Sequence, residues 1–290
     1  MAAGAASALL LAGCSGDAGD GSPASSTPGG QSAASSSAAA PSGPSKTTSS
    51  GRSRLDTVRA TKRLRVCTTG DYRPFTYLDP ATKAYSGIDV TMAKSLAASL
   101  GAQITWVPTT WKNLMPDFLA KCDIGMGGVS ISTDRAQRAF FSDPVLTEGK
   151  TPITLCRNVS KFDTVAEINR PGVRSITPEG GTNEEFAVAN YPKGEVIRWK
   201  DNNTIFDQII AGKADVMTTD ASETVWVANE KPQLCAVHPD KPFNFSQKGY
   251  LLPRGDVDFK AYVDQWLNIA RNDGTWPAAT KPWFGDQQLR

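Results

Sequence analysis

Two short stretches carry residue types that together suit an anionic ligand. Ser130-Ile131-Ser132-Thr133-Asp134-Arg135 offers two hydroxyl donors, Ser130 and Ser132, and one guanidinium, Arg135, whose planar fork matches a carboxylate. Gly180-Gly181-Thr182-Asn183 opens a helical stretch, so its backbone N–H groups and the helix N-terminus favour an anion. Taken singly, such an Arg solvates a helix surface and such a Gly-Gly-Thr is a turn and a cap. Tyr72 and Trp111 stand at loop–helix junctions, where an aromatic side chain either walls a ring pocket or anchors a core. The acids gather in the second half. Glu184 sits in the anion loop, and Asp220 and Glu223 follow a strand in Thr218-Thr219-Asp220-Ala221-Ser222-Glu223. That spacing is a capping box, with an acid three residues after the cap. It also suits two carboxylates aimed into one cleft. A carboxyl group held among aromatics and other acids has its pKa raised by desolvation and like charge, and can then give up a proton near neutrality.

Other chemistries are excluded by what is missing. The 290 residues hold 31 Lys plus Arg and 29 Asp plus Glu, a net charge of +2, with no electrostatic footprint for nucleic acid. A single histidine, His238, rules out an HExxH zinc helix, and no GxxxxGK[ST] loop is present. No CxxC occurs, which disfavours a zinc or thioredoxin-like site.

The elements that must hold these residues alternate in type. Arg63–Cys67, Gln103–Val107 and Asp123–Met126 read as strands, with helices over Gly87–Leu100 and Trp111–Ala120 between them. The pattern restarts with strands at Val173–Ile176, Glu195–Trp199 and Ala214–Thr218, interleaved with helices from Gly180 to Asn190 and Asn203 to Ala211. This β-α-β alternation predicts an α/β chain with largely parallel sheets in two lobes, over residues 55–150 and 151–249. Residues 250–290 carry a packing helix over Ala261–Ala270 that returns to the first lobe. In such sheets ligands sit beyond the carboxyl ends of the strands, so the loops at Tyr72, Ser130, Thr182 and Asp220 would face one another across a cleft.

The N-terminus reads as an address. The apolar run Ala8-Leu9-Leu10-Leu11-Ala12 is too short to span a bilayer, and it suits the h-region of an export signal over residues 1–14. Residues 15–54 are rich in Ser, Gly, Ala and Pro and read as a disordered tether. Leu11-Ala12-Gly13-Cys14 resembles the lipobox of bacterial lipoproteins, which implies a lipid on Cys14 and an extracytoplasmic protein anchored to the cell membrane. Export permits disulfides. Cys67, Cys122, Cys156 and Cys235 allow three pairings, and Cys67 and Cys122 read equally as small core residues at strand ends.

Several motifs resemble the extracytoplasmic solute-binding proteins of the polar amino-acid family, family 3. They are Gly87-Ile88-Asp89-Val90, Ser130 to Arg135, Phe141-Ser142-Asp143-Pro144 and Thr219-Asp220, and the resemblance covers about residues 55–285. It implies a two-lobed periplasmic-binding-protein-like (type II) fold with a ligand cleft between the lobes. It also implies that Arg135 takes a ligand carboxylate with help from Ser130 and Thr182, that Asp220 takes an α-amino group, and that Tyr72 and Trp111 are aromatic walls. Further motifs look like the cyclohexadienyl dehydratases within that superfamily. They include Thr69 to Phe75, Gly149 to Cys156, Gly180 to Glu184, Leu234 to Pro239, Tyr250 to Arg254 and Tyr262 to Leu267. That resemblance implies decarboxylative dehydration of prephenate, arogenate or both, with Glu223 as proton donor and Asp220 or Glu184 keeping it protonated. Asn183 falls in the substrate loop. No metal or organic cofactor is implied. The two Cys-containing motifs imply a Cys156–Cys235 bridge, which leaves Cys67 and Cys122 open, either as a second pair or as two unpaired core residues. The alternative is a lipid-anchored amino-acid receptor serving an ABC permease.

Overall fold

The computed structural model describes residues 52–285. The expected signal segment, Cys14 and most of the expected tether therefore lie outside the described residues. Regular structure begins just before residue 55. Ser53 caps a helix over Arg54–Thr61, accepting from the Leu55 amide, and its hydroxyl donates to Asp256 at 2.7 Å.

Two five-stranded sheets form the framework. In the first, Gln103–Pro108, Arg63–Thr68, Ile124–Gly125, Leu251–Pro253 and Ala139–Phe141 lie side by side in that order. In the second the order is Glu195–Trp199, Arg174–Pro178, Val216–Asp220, Lys150–Leu155 and Leu234–Ala236. The expectation of largely parallel sheets holds for only part of each. The strands that alternate with helices pair in parallel, Arg63–Thr68 with both its neighbours and Arg174–Pro178 with both of its own. The remaining pairings in each sheet are antiparallel. Parallel neighbours require a crossover connection, and Lys150–Leu155 and Leu251–Pro253 instead arrive directly from a two-stranded ribbon, so they enter reversed. That ribbon pairs Leu146–Glu148 with Ser246–Lys248, antiparallel, with Glu148 opposite Ser246 and Leu146 opposite Lys248. Through it the chain passes from the first sheet to the second and back.

Each sheet has its own core. Leu64, Val66, Ile88, Met92, Leu96 and Ile124 pack in one cluster with Phe259, Val263 and Leu267 of the helix Val257–Asn272. Ile153, Ile176, Ile205, Ile209, Met217 and Val227 pack in another. Helix Ile88–Ser99 presents Ile88, Met92 and Leu96 at helical spacing, and Gly101 at a φ of +59° ends it. The helix expected from Trp111 begins at Leu114 instead, because the Asn113 amide bonds back to the Thr110 carbonyl and hydroxyl and holds Trp111 in a turn.

The same ionic staple recurs in both sheets. Asp123 accepts from the Arg65 backbone amide at 2.8 Å and from its guanidinium at 3.1 and 2.6 Å. Asp215 does so for Arg174 at 2.8, 3.1 and 2.7 Å. In each case the residue before a central strand is tied to the start of the strand beside it. Two disulfides, Cys67–Cys122 and Cys156–Cys235, add covalent closure. The first pair is both a bridge and part of a buried cluster with Leu114 and Phe118, so the two readings of those cysteines are compatible.

The Cys156–Cys235 bridge closes a separation of 79 residues. In the chain-entropy account a loop of that size stabilises by about 4 kcal/mol, which for a domain of this size corresponds to roughly 10 °C in Tm. Replacing both residues by Ser is expected to lower Tm by that order in a thermal melt under non-reducing conditions. An unchanged Tm would show that the bridge contributes nothing.

Candidate functional site

A pocket lies where the strand-end loops of the two sheets meet. Tyr72, Trp111, Gly128, Ser130, Pro178, Gly180, Gly181, Thr182, Asn183 and Asp220 line it. Of the residues expected at the site, Tyr72, Trp111, Ser130, Thr182, Asn183 and Asp220 are thus brought together. Arg135, Glu184 and Glu223 do not line the wall.

The pocket is narrow because the loops touch. Gly180 has a φ of +82°, and a Cβ on it would sit 2.7 Å from the Lys112 backbone nitrogen. No side chain fits there. Lys112 meets Glu179 at 2.9 Å, and the Asn202 side-chain amide donates to the Asp71 carbonyl at 2.8 Å across the same seam. Trp111 packs edge-to-face on Tyr72, with ring centroids 5.3 Å apart.

Beneath the pocket lies a buried ion cluster that the sequence reading missed. Asp220 is 2% exposed, Lys150 2% and Lys248 0%. The Lys150 ammonium donates to Asp220 Oδ1 at 2.8 Å, and the Lys248 ammonium to Asp220 Oδ2 at 2.7 Å. The Tyr72 hydroxyl also donates to Asp220 Oδ2. Lys150 reaches Thr182 Oγ1 at 3.0 Å and bonds Asn183 Oδ1, and Asn183 Nδ2 donates to Thr219 Oγ1 at 2.8 Å. Lys248 further donates to the Gly128 carbonyl at 3.1 Å and pairs with Glu148 at 3.3 Å. Glu148 in turn accepts from the Ser222 amide at 2.8 Å, at the N-terminus of the helix Ala221–Glu230. Lys150 and Glu148 flank Gly149, and Lys248 precedes Gly249, in stretches to which the sequence reading assigns no strand. The available signal was the uncharged run Thr151-Pro152-Ile153-Thr154-Leu155 after Lys150, which forms a strand buried throughout its length.

These contacts separate the protonation states. Burial alone pushes the Asp220 carboxyl up, but the ammoniums of Lys150 and Lys248 hold it well below the usual carboxylate range. Burial pulls both ammoniums down. For Lys248 the charges of Asp220 and Glu148 outweigh burial, and for Lys150 burial prevails. Burial raises Glu148, with Lys248 opposing it. Glu223 is 2% exposed and lies behind Thr219, whose hydroxyl donates to its Oε2 at 2.5 Å. Burial pushes the Glu223 carboxyl up to about 8, the Thr219 hydrogen bond opposes, and Asp220 adds to the rise. Glu223 is therefore the neutral acid of the cluster and Asp220 the anion.

Three expectations change in this geometry. The capping-box reading of Asp220 and Glu223 fails, because the Asp220 side chain makes no cap hydrogen bond and is spent on lysines. Arg135 is buried behind Ser130, with Nη1 on the Ser130 carbonyl at 2.7 Å, and burial lowers its pKa against the pull of Glu185 and Asp220. Glu184 does not reach Glu223. Its carboxylate accepts from the Gly180 amide at 2.5 Å and pairs with Arg198, so it holds the Gly180 turn in place. Among the described residues no group of three or more His, Cys, Asp or Glu is placed to hold a metal.

The chain is similar to several known proteins. Residues 64–286 match the bacterial extracellular solute-binding proteins, family 3. Cyclohexadienyl dehydratase of Pseudomonas aeruginosa is 51% identical over 233 residues, covering 80% of this chain and 86% of that protein. The L-cystine-binding protein of Escherichia coli is 25% identical over 233 residues, covering 80% of this chain and 86% of that protein. Among solved structures, an ancestral amino acid-binding protein described as a precursor of cyclohexadienyl dehydratase matches with a TM-score of 0.73 at 32% identity, covering 79% of this chain and 99% of that one. An ancestral cyclohexadienyl dehydratase matches with a TM-score of 0.51 at 46% identity, covering 80% of this chain and 97% of that one. The chain belongs to the bacterial extracellular solute-binding proteins, family 3, on the branch that includes cyclohexadienyl dehydratase.

Proposed function

We propose that this protein is a cyclohexadienyl dehydratase that converts prephenate to phenylpyruvate, arogenate to phenylalanine, or both. The observation that carries the reading is Glu223, a buried carboxyl group held protonated near neutral pH beside an Asp220 that stays ionised. A receptor for amino acids needs an acid free to meet the ligand ammonium. Here that acid, Asp220, already accepts from two lysines and a tyrosine.

In the proposed reaction the ring carbon–carboxylate bond breaks and its electron pair enters the ring. The ring carbon–oxygen bond breaks at the far side, and the leaving hydroxyl takes a proton that Glu223 supplies through the Thr219 hydroxyl in front of it, and departs as water. Carbon dioxide leaves, the ring becomes aromatic, and Glu223 recovers its proton from solvent. The large driving force of aromatisation leaves the protein two tasks, holding the anion and supplying the proton. Ser130, Thr182 and the Lys150 ammonium give the pocket floor its donors, with Arg135 adding positive charge behind Ser130. Tyr72 and Trp111 shape the ring space. Glu184 serves by fixing the Gly180 turn. We further propose an extracytoplasmic location through a lipid on Cys14, on the strength of the Leu11-Ala12-Gly13-Cys14 motif.

The deciding experiment is prephenate turnover by the purified protein, followed by phenylpyruvate absorbance. Tight binding of an amino acid without turnover would return the chain to the receptor reading with an ABC permease as partner. Glu223→Gln keeps size and hydrogen bonding but has no proton to give. It is expected to retain binding and lose turnover by about a hundredfold or more. The wild-type rate depends on a protonated Glu223, so on the alkaline side activity is expected to fall as pH rises through about 8. A flat alkaline profile would remove Glu223 from the acid role. Arg135→Ala leaves the Ser130 carbonyl without its charged donor and removes the positive charge behind Ser130, a loss of roughly 2–5 kcal/mol in binding. Its Michaelis constant is expected to rise at least about thirtyfold at the lower bound of that range, and an unchanged value would place the carboxylate elsewhere.

A further inference from the structure

The Gly87-Ile88-Asp89-Val90 motif contains a buried acid that the proposed reaction does not use. Asp89 is 2% exposed and lies in the first turn of the helix Ile88–Ser99. Its Oδ2 accepts from the Gly127 amide at 3.0 Å and from the Gly128 amide at 2.6 Å, and its Oδ1 accepts from the Tyr250 hydroxyl at 3.2 Å. Both glycines have positive φ, +133° and +73°, and a Cβ on Gly128 would sit 2.6 Å from the Tyr72 ring. The turn therefore adopts a conformation that L side chains resist, pressed against an aromatic wall of the pocket, and the carboxylate is what receives its N–H groups. On the other side of the same residue, the Gly128 carbonyl receives the Lys248 ammonium at 3.1 Å, and that ammonium holds Asp220.

We propose that Asp89 is a positioning residue: by holding the Gly127 and Gly128 amides it aims the Gly128 carbonyl at Lys248 and so fixes the ion pair with Asp220 beneath the pocket. The groups that face Asp89 from the elements packed on it are the two glycine amides, the Tyr250 phenol and, farther off, the Lys248 ammonium. Burial raises the Asp89 carboxyl to about 6, opposed by the Gly128, Gly127 and Tyr250 hydrogen bonds and by Lys248. Protonation as pH falls through that value removes charge from all three hydrogen bonds at once.

The kinetic part of the test rests on the dehydratase reading, and the exchange part does not. Asp89→Asn is nearly isosteric and uncharged. It is expected to lower kcat/KM for prephenate about tenfold or more, the scale of a lost charge-assisted hydrogen bond, with the loss mainly in kcat. Wild-type activity should decline as pH falls through about 6, and the variant should lose that acid limb while keeping the alkaline one. In the wild-type protein, amide exchange at Gly127 and Gly128, corrected for its intrinsic pH dependence, should quicken as pH falls through the same value. A variant profile that superimposes on the wild type, or glycine amides whose protection ignores pH between 5 and 7 (about one unit either side of that value), would overturn the proposal. If the wild type turns over no prephenate, the reaction assignment fails and amide exchange alone decides the role of Asp89.

Discussion

The structure depends on keeping one carboxylate, Asp220, ionised out of water. Removing an ion from water costs several kcal/mol unless its partners are well placed, and losing one partner of a buried pair leaves the other charge uncompensated. Asp220 meets that demand with donors from three separate parts of the chain. Lys150 opens a strand of the second sheet, Lys248 closes one strand of the connecting ribbon, and Tyr72 ends the short strand Asp71–Tyr72 that follows the first sheet's Arg63–Thr68. The two sheets must therefore meet at this carboxylate for all of its donors to reach it.

The other site groups take their states from that arrangement. With Asp220 anionic and close by, a second buried carboxylate at Glu223 would meet like charge as well as poor solvation, so Glu223 keeps its proton. Lys150, held by Asp220, also organises Thr182 and Asn183 at the mouth of the helix Gly181–Asn190. Glu148 balances Lys248 and satisfies an otherwise orphaned amide at the start of the helix Ala221–Glu230. One helix thus begins beside an ammonium and the next beside a carboxylate, both set by the same cluster.

The alternating elements were legible because periodicity reports them directly. Glu195–Trp199 falls where its β-branched run predicts, and the helix Gly181–Asn190 begins at the expected glycines. The antiparallel half of each sheet was hidden, since strand direction is set by the connection and leaves no mark in the strand's own residues. At the site, Tyr72, Trp111, Ser130, Thr182, Asn183 and Asp220 were legible as loop residues after strands. Lys150, Lys248 and Glu148 were not, because a charge beside a glycine at a strand end ordinarily meets solvent. Only the crossing of two distant segments in the ribbon buries them. Asp220 and Glu223 show the limit of local spacing: it matched a cap, while the cap hydrogen bond was pre-empted by lysines distant in sequence.

The two disulfides lie on opposite sides of the ribbon. Cys67–Cys122 joins residues of the first sheet and its neighbouring helix, and Cys156–Cys235 joins residues at one edge of the second. Neither crosses the cleft. Oxidation thus hardens each half without locking the halves together, and the seam is left to reversible contacts such as Lys112–Glu179 and Asn202–Asp71. Durability and freedom to admit a ligand are consequently assigned to different bonds, so a reducing environment would shorten the protein's lifetime without altering the contacts that close over its pocket.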